Sequence, residues 1–231
     1  MKLSIVLFDG FTSLDVVGGF EVLSRIPGMQ VECVAPTPGT IAVDTRWLGM
    51  VAHRSLAQVE HTDVLYVPGG PGALALEADE AFLGHLRRID ATSTWTIGTC
   101  NGVGLLAAAG LLDGRSATTN FFYRDRLAAR GVTVVPERYH RDGKYVTGAG
   151  VSASIDAGLF LAGLIAGDMV MRAIGLGVEY FPNPPYAERT PEEVAPPIAA
   201  IVRAYEASGG AEDLKRTPPF PAAGHSLGGE H

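Results

Sequence analysis

Cysteine is almost missing from this chain: its 231 residues hold two, Cys33 and Cys100. Neither forms the paired or quartet spacing that thiolate metal sites use. Spacing leaves a disulfide between them open, but a reducing compartment argues against one. Long apolar runs are missing too. No stretch of 18 apolar residues is present to cross a bilayer, and MKLSIVLFDG lacks the basic region, longer apolar stretch and cleavage site of a signal peptide. We therefore expect a soluble, cytoplasmic chain that makes no use of a membrane. Positive charge is also short. Lys and Arg total 18 against 25 Asp and Glu, a net charge of -7 with no local basic cluster, so nucleic acid is not an expected partner.

What is present is apolar sequence in short bursts. Hydrophobic residues make up 47% of the chain, enough for one large α/β core over 1–208. KLSIVLF, QVECVA, DVLYVPGG, TWTIGT, VTVV and KYVTGAG are β-branched runs bounded by Gly, Pro or Asp, and most read as strands buried on both faces. Helical periods fall between them at 14–26, 78–89, 102–112 and 122–130, followed by two well-buried helices at 155–166 and 169–180. This alternation predicts a mostly parallel sheet with helices on both faces. RYHRDGKYV reads as a hairpin turning at Asp142-Gly143. A proline-rich connection follows, then a helix over 191–207 capped by Thr190, and a tail over 209–231 too poor in apolar residues to order itself.

The stretch WTIGTCNGVGLL, 95–106, carries the first hint of chemistry. A strand ending at Thr99 and a helix beginning at Gly102 place Cys100 at the carboxyl edge of the sheet, where open α/β folds bind ligands. A sharp turn there lifts the side chain clear, and Gly98, Gly102 and Gly104 let neighbouring backbone approach, the logic of a nucleophile elbow. Amide hydrogens and the positive end of the helix favour thiolate, the reactive form. Most cysteines are small buried hydrophobes, and Cys33, mid-strand, keeps that reading. For Cys100 the position favours a nucleophile.

A thiolate needs a proton donor. None of the six histidines falls in a motif aimed at this elbow, which argues against a Cys-His protease. The first strand ends in DGFTSLDVVGGFEVL and brings Asp15 to the same sheet edge, as a proton shuttle or as a first-turn acid that only favours the helix dipole. Glu21, further along that helix, is a second candidate acid or a buried carboxylate capping backbone. Pro68, Gly69 and Gly70 make either a tight turn or, with the Asn101 amide, an anion-stabilising hole. The Val151 backbone in TGAGVS offers another wall.

In this order VPGGPG, GTCNG, DGRSATTN and TGAGVSASIDAGLFLA resemble the DJ-1/PfpI superfamily over 1–205, and LFDGFTSLDVVGGFEVL resembles its isocyanide hydratase branch. The resemblance implies a flavodoxin-like three-layer sandwich and a homodimer acting on a small molecule without metal or organic cofactor. It implies Cys100 as nucleophile on the isocyanide carbon, Asp15 as general acid/base, and the Gly70 and Asn101 amides beside that carbon. The chain departs from the branch twice. C-T-G is here Cys100-Asn101-Gly102, and A-T-T-H-W is Ala117-Thr118-Thr119-Asn120-Phe121, which puts Asn120 in the substrate pocket where a histidine is usual. A ligand or redox sensor, or a glyoxalase-type hydrolase, fits the same fold. The chain as given ends without a helix-turn-helix module, which sets the superfamily's regulators aside, and Asn101 in place of C-H-G ranks a peptidase lower.

Overall fold

The computed structural model describes residues 1–204. The expected tail at 209–231, the domain boundary at 208 and the end of the 191–207 helix lie outside the described residues. The chain begins with β1 (Lys2–Val6), α1 (Ser13–Leu23), β2 (Gln30–Ala35), β3 (Gly39–Ala42), β4 (Gly49–Ala52), β5 (Arg54–Ser55) and β6 (Val64–Val67). It continues through α2 (Ala73–Leu76), α3 (Glu80–Asp90), β7 (Trp95–Thr99), α4 (Gly102–Ala108), β8 (Ser116–Ala117), α5 (Arg124–Ala128) and β9 (Thr133–Val134). The hairpin of β10 (Tyr139–Asp142) and β11 (Tyr145–Gly148) leads to α6 (Ala153–Ala166) and α7 (Asp168–Gly177).

Seven strands form the main sheet in the order β10-β11-β7-β6-β1-β2-β5. All pairings are parallel except β10 with β11, which is the antiparallel hairpin expected at Asp142-Gly143. The buried run of β6 and the nearly buried β1 and β7 explain why they read as continuous apolar segments: helices cover both faces. The chain leaves β1 toward β2 on one side and leaves β6 toward β7 on the other. The carboxyl ends of β1 and β6 therefore flank the crevice where an open α/β sheet takes its ligand. α3 is the clearest amphipathic case, burying Phe82, Leu83, Leu86 and Ile89 behind an Asp79 cap whose carboxylate accepts the Phe82 N–H.

Three expectations need correction, and one hairpin was not expected. VTVV contributes only Thr133–Val134, paired with β8 in a separate two-stranded sheet whose Thr133 is exposed, so it is no buried strand. Of the last two expected helices α6 is buried along one face, but α7 buries Ile174 alone and leaves Met169 and Leu176 in solvent. Thr190 starts a single 3-10 turn, and the helix begins only at 196, because Pro196 and Pro197 fit a first helical turn and no interior position. The β3–β4 hairpin had no turn dipeptide to announce it. It is fixed by long-range ties instead: Asp9 and Arg46 pair through two hydrogen bonds, and Thr12 donates to Asp44.

Candidate active site

The carboxyl edge gathers four connections: β1 to α1, β6 to α2, β7 to α4, and β11 to α6. Cys100 sits in the third with φ of 54°, a left-handed conformation that a non-glycine residue adopts at a cost of about 1–2 kcal/mol. The surroundings hold it there. Its N–H donates to Ala149 O at 2.9 Å and Gly148 O at 3.2 Å, and its carbonyl accepts the Thr119 hydroxyl at 2.7 Å. The thiol is buried, at 4% exposure, and no disulfide joins it to Cys33.

The strand-to-helix turn works only because glycines surround it. A Cβ on Gly69 would stand 2.7 Å from Cys100 Cβ, and one on Gly102 would stand 2.3 Å from Pro68 O, distances no real side chain occupies. These residues let the 68–72 loop lie directly against the elbow.

Asn120 makes a polar contact to the sulfur: its Nδ2 donates to Cys100 Sγ at 2.8 Å. The orientation of that carboxamide is fixed by its other end, where Oδ1 accepts the Tyr123 N–H at 3.0 Å. Asn120 was expected in the substrate pocket; it touches the thiol itself. Behind it Tyr123 donates its hydroxyl to Glu77, a buried carboxylate also held by Arg126 and Arg130. These partners draw Glu77 below the usual carboxylate range although burial opposes them, and burial with Glu77 pushes the Tyr123 hydroxyl up to about 12.

Asp15 lies in the first turn of α1, fully buried. Its carboxyl is pushed up to about 8, chiefly by loss of solvent; Thr99, Cys100 and the Gly69 amide pull the other way, and Asp44 adds repulsion. Those three neighbours are near enough to favour the ion, yet neither carboxyl oxygen has a hydrogen bond of ordinary geometry, and the Thr99 hydroxyl also lacks one. Two buried polar groups beside the elbow are thus left without an ordinary hydrogen bond, a cost that folded proteins rarely carry. At neutral pH Asp15 is mostly a protonated acid. The Tyr66 hydroxyl, donating to Asp15 O at 2.6 Å, fixes the helix backbone under it.

Glu21 and the Gly70 amide do not join this group. Six residues place Glu21 roughly 120° round the helix from Asp15, on the solvent side, where it pairs with Arg25. The Gly70 N–H, expected at the reacting carbon, donates instead to Asn101 Oδ1 at 2.7 Å, while Asn101 Nδ2 returns a bond to Gly70 O at 3.0 Å. The carboxamide of Asn101 is long enough to clamp the neighbouring loop and takes the donor for itself. The Asn101 N–H keeps its place at the elbow. Val151 lies in the turn between β11 and α6, next to the carbonyls that hold Cys100. Thr99, Thr119, Tyr66 and Tyr123 were not singled out in the sequence. Threonines flanking the elbow and TTN motifs were the only available signal, since their partners lie far along the chain.

Among the described residues no three His, Cys, Asp or Glu side chains are grouped as metal ligands, and no helix is long and apolar enough to span a membrane.

A left-handed cysteine at the carboxyl edge of a parallel sheet, faced by a neutral carboxylic acid, places the molecule among flavodoxin-like α/β proteins with a cysteine elbow. The chain belongs to the DJ-1/PfpI family, whose sequence pattern matches residues 1–162. It is 33% identical over 192 residues to the isonitrile hydratase of Pseudomonas putida, covering 83% of this chain and 84% of that one. It is 28% identical over 162 residues to protein DJ-1 homolog A of Arabidopsis thaliana, covering 68% of this chain and 41% of that one. Among solved structures, a ThiJ/PfpI family protein from Pseudomonas syringae superposes with a TM-score of 0.85 at 26% identity, covering 93% of this chain and 89% of that one.

Proposed function

We propose that the chain is a cofactor-independent isonitrile hydratase, working as a cytoplasmic homodimer and converting R–N≡C and water into the formamide R–NH–CHO. The observation that carries the reading is the fully buried Asp15 carboxyl beside Cys100, in a chain 33% identical to an isonitrile hydratase. Cys100 sulfur, as thiolate, forms a bond to the terminal carbon while Asp15 gives that carbon its proton, producing the thioimidate R–N=CH–S–Cys100. Asp15, now ionised, takes one proton from the water that adds to the same carbon and is an acid again, and the water's second proton passes to the nitrogen. Cleavage of the C–S bond releases the formamide and restores the thiolate. The Asn120 N–H stabilises the sulfur anion at the start and end of the cycle, and the Asn101 N–H faces the charge that develops in between.

Cyclohexyl isocyanide and the purified protein, assayed for formamide, test this directly. Turnover that disappears in Cys100→Ala and falls at least about a hundredfold in Asp15→Asn supports both roles. A folded wild type whose Cys100 alkylates but yields no formamide rejects the hydratase reading. That result favours a sensor that binds a ligand or oxidant without turnover, a reading supported by the likeness to the plant DJ-1 homolog.

A further inference from the structure

The family pattern ends at residue 162, but the described chain continues past it and packs on the loop that follows Asn120. Residues 181–204 lie over the loop that follows Asn120. Arg124 pairs with Glu192, and the Arg203 guanidinium stacks on the Phe121 ring at 5.0 Å. Between this segment and the loop lies a cavity of about 510 Å³, within the range of small-molecule pockets. Phe121, Tyr186, Pro191, Val194, Ile198 and Val202 give it mostly apolar walls.

Phe121, one of the cavity walls, is the neighbour in sequence of a residue that contacts the sulfur. It is one peptide, about 3.8 Å between Cα atoms, from Asn120, whose Nδ2 touches Cys100 Sγ at 2.8 Å. A molecule whose terminal carbon meets the sulfur needs room for its other end close by. An apolar substituent filling these walls sheds water on binding, and the segment that makes them lies outside the shared family core.

We propose that this cavity receives the substituent of the substrate, so that the chain selects isonitriles bearing a bulky apolar group, branched alkyl or aryl, over small ones. The inference rests on the hydratase reading. Its test is the ratio of kcat/KM for cyclohexyl isocyanide to that for methyl isocyanide, measured on the full chain and on Ile198→Trp and Val202→Trp, with folding checked by circular dichroism.

The wild-type ratio is expected to exceed about ten, and a tryptophan that fills the cavity should lower it about tenfold, mainly through KM for the bulky substrate. Ile198→Ala, which enlarges the space without a steric threat to folding, should move the optimum toward larger aryl isocyanides. Turnover of both substrates at similar efficiency, or a ratio that neither the tryptophans nor the alanine move, overturns the cavity assignment and leaves the hydratase reading standing. No formamide from any isonitrile removes both.

Discussion

Asn120 puts a carboxamide, where the resemblance expects an imidazole, in hydrogen-bond contact with the sulfur, and the exchange has a kinetic consequence. A hydrogen bond to a charged group contributes about 1.5–3 kcal/mol, so Asn120→Ala should slow kcat for cyclohexyl isocyanide about 10- to 150-fold while Cys100 still alkylates. Asn120→Leu, of similar volume, separates the lost bond from a lost filling. Because a carboxamide does not titrate, Asn120 adds no limb to the pH profile between 5 and 8. Asp15 does titrate, and the reaction uses its protonated form. With its carboxyl raised to about 8 by burial, kcat/KM should fall above about pH 8, and Asn120→His should add a new limb near neutrality. A falling alkaline limb that Asp15→Asn leaves in place would show that Asp15 is not the acid. These residues differ in how far the sequence exposed them. Cys100 and Asp15 follow strand ends, so local pattern located both. Glu21 misled because it is near Asp15 in number yet on another face of the helix. The role of Asn120 rests on Tyr123 fixing its carboxamide, a contact no spacing reveals.

The elements show the same division between local and distant causes. Every strand of the main sheet beyond β5 and β10 was legible as an apolar run, and the Asp142-Gly143 hairpin as a turn, because burial on both faces and turn chemistry act within a few residues. The β3–β4 hairpin was not legible, since its place depends on Asp9, Phe11 and Thr12 meeting residues 43–46. The elbow depends on a similar meeting, between the 68–72 loop and the start of α4. Gly102→Ala would put Cβ 2.3 Å from Pro68 O and 2.6 Å from Val67 O, both backbone atoms that cannot swing away. It should destabilise the fold by about 1–3 kcal/mol in urea unfolding and retune the Cys100 alkylation rate, because loop and elbow must separate. Gly114→Ala is the control for backbone effects alone, with a left-handed φ but nothing within 4 Å. Equal behaviour of the two variants in the alkylation assay would mean that the close approach does not set the elbow.

At the scale of the whole molecule one buried acid leaves a signature in stability. The Asp15 carboxyl is raised in the folded protein from an ordinary value of 3.8 to about 8 by burial. Between those values the native state therefore holds a proton that the unfolded chain has released. Folding stability must then fall as pH rises through that window, and level off above it, with a limiting slope of about 1.4 kcal/mol per pH unit. Glu32, Asp63, Glu77 and Asp142 are held below their ordinary range, so they act oppositely, adding stability as pH rises through the acid region, and leave the interval from about 5 to 8 to Asp15. Urea unfolding at fixed protein concentration reads this slope, and the concentration must be fixed because a dimer couples association to stability. Asp15→Asn removes the titration while keeping the shape, so its stability should be nearly flat from pH 5 to 8 and exceed that of the wild type most at the upper end. A variant whose slope matches the wild type would mean that Asp15 is ionised in the folded protein, and the proton delivered to the isonitrile carbon would then need another source.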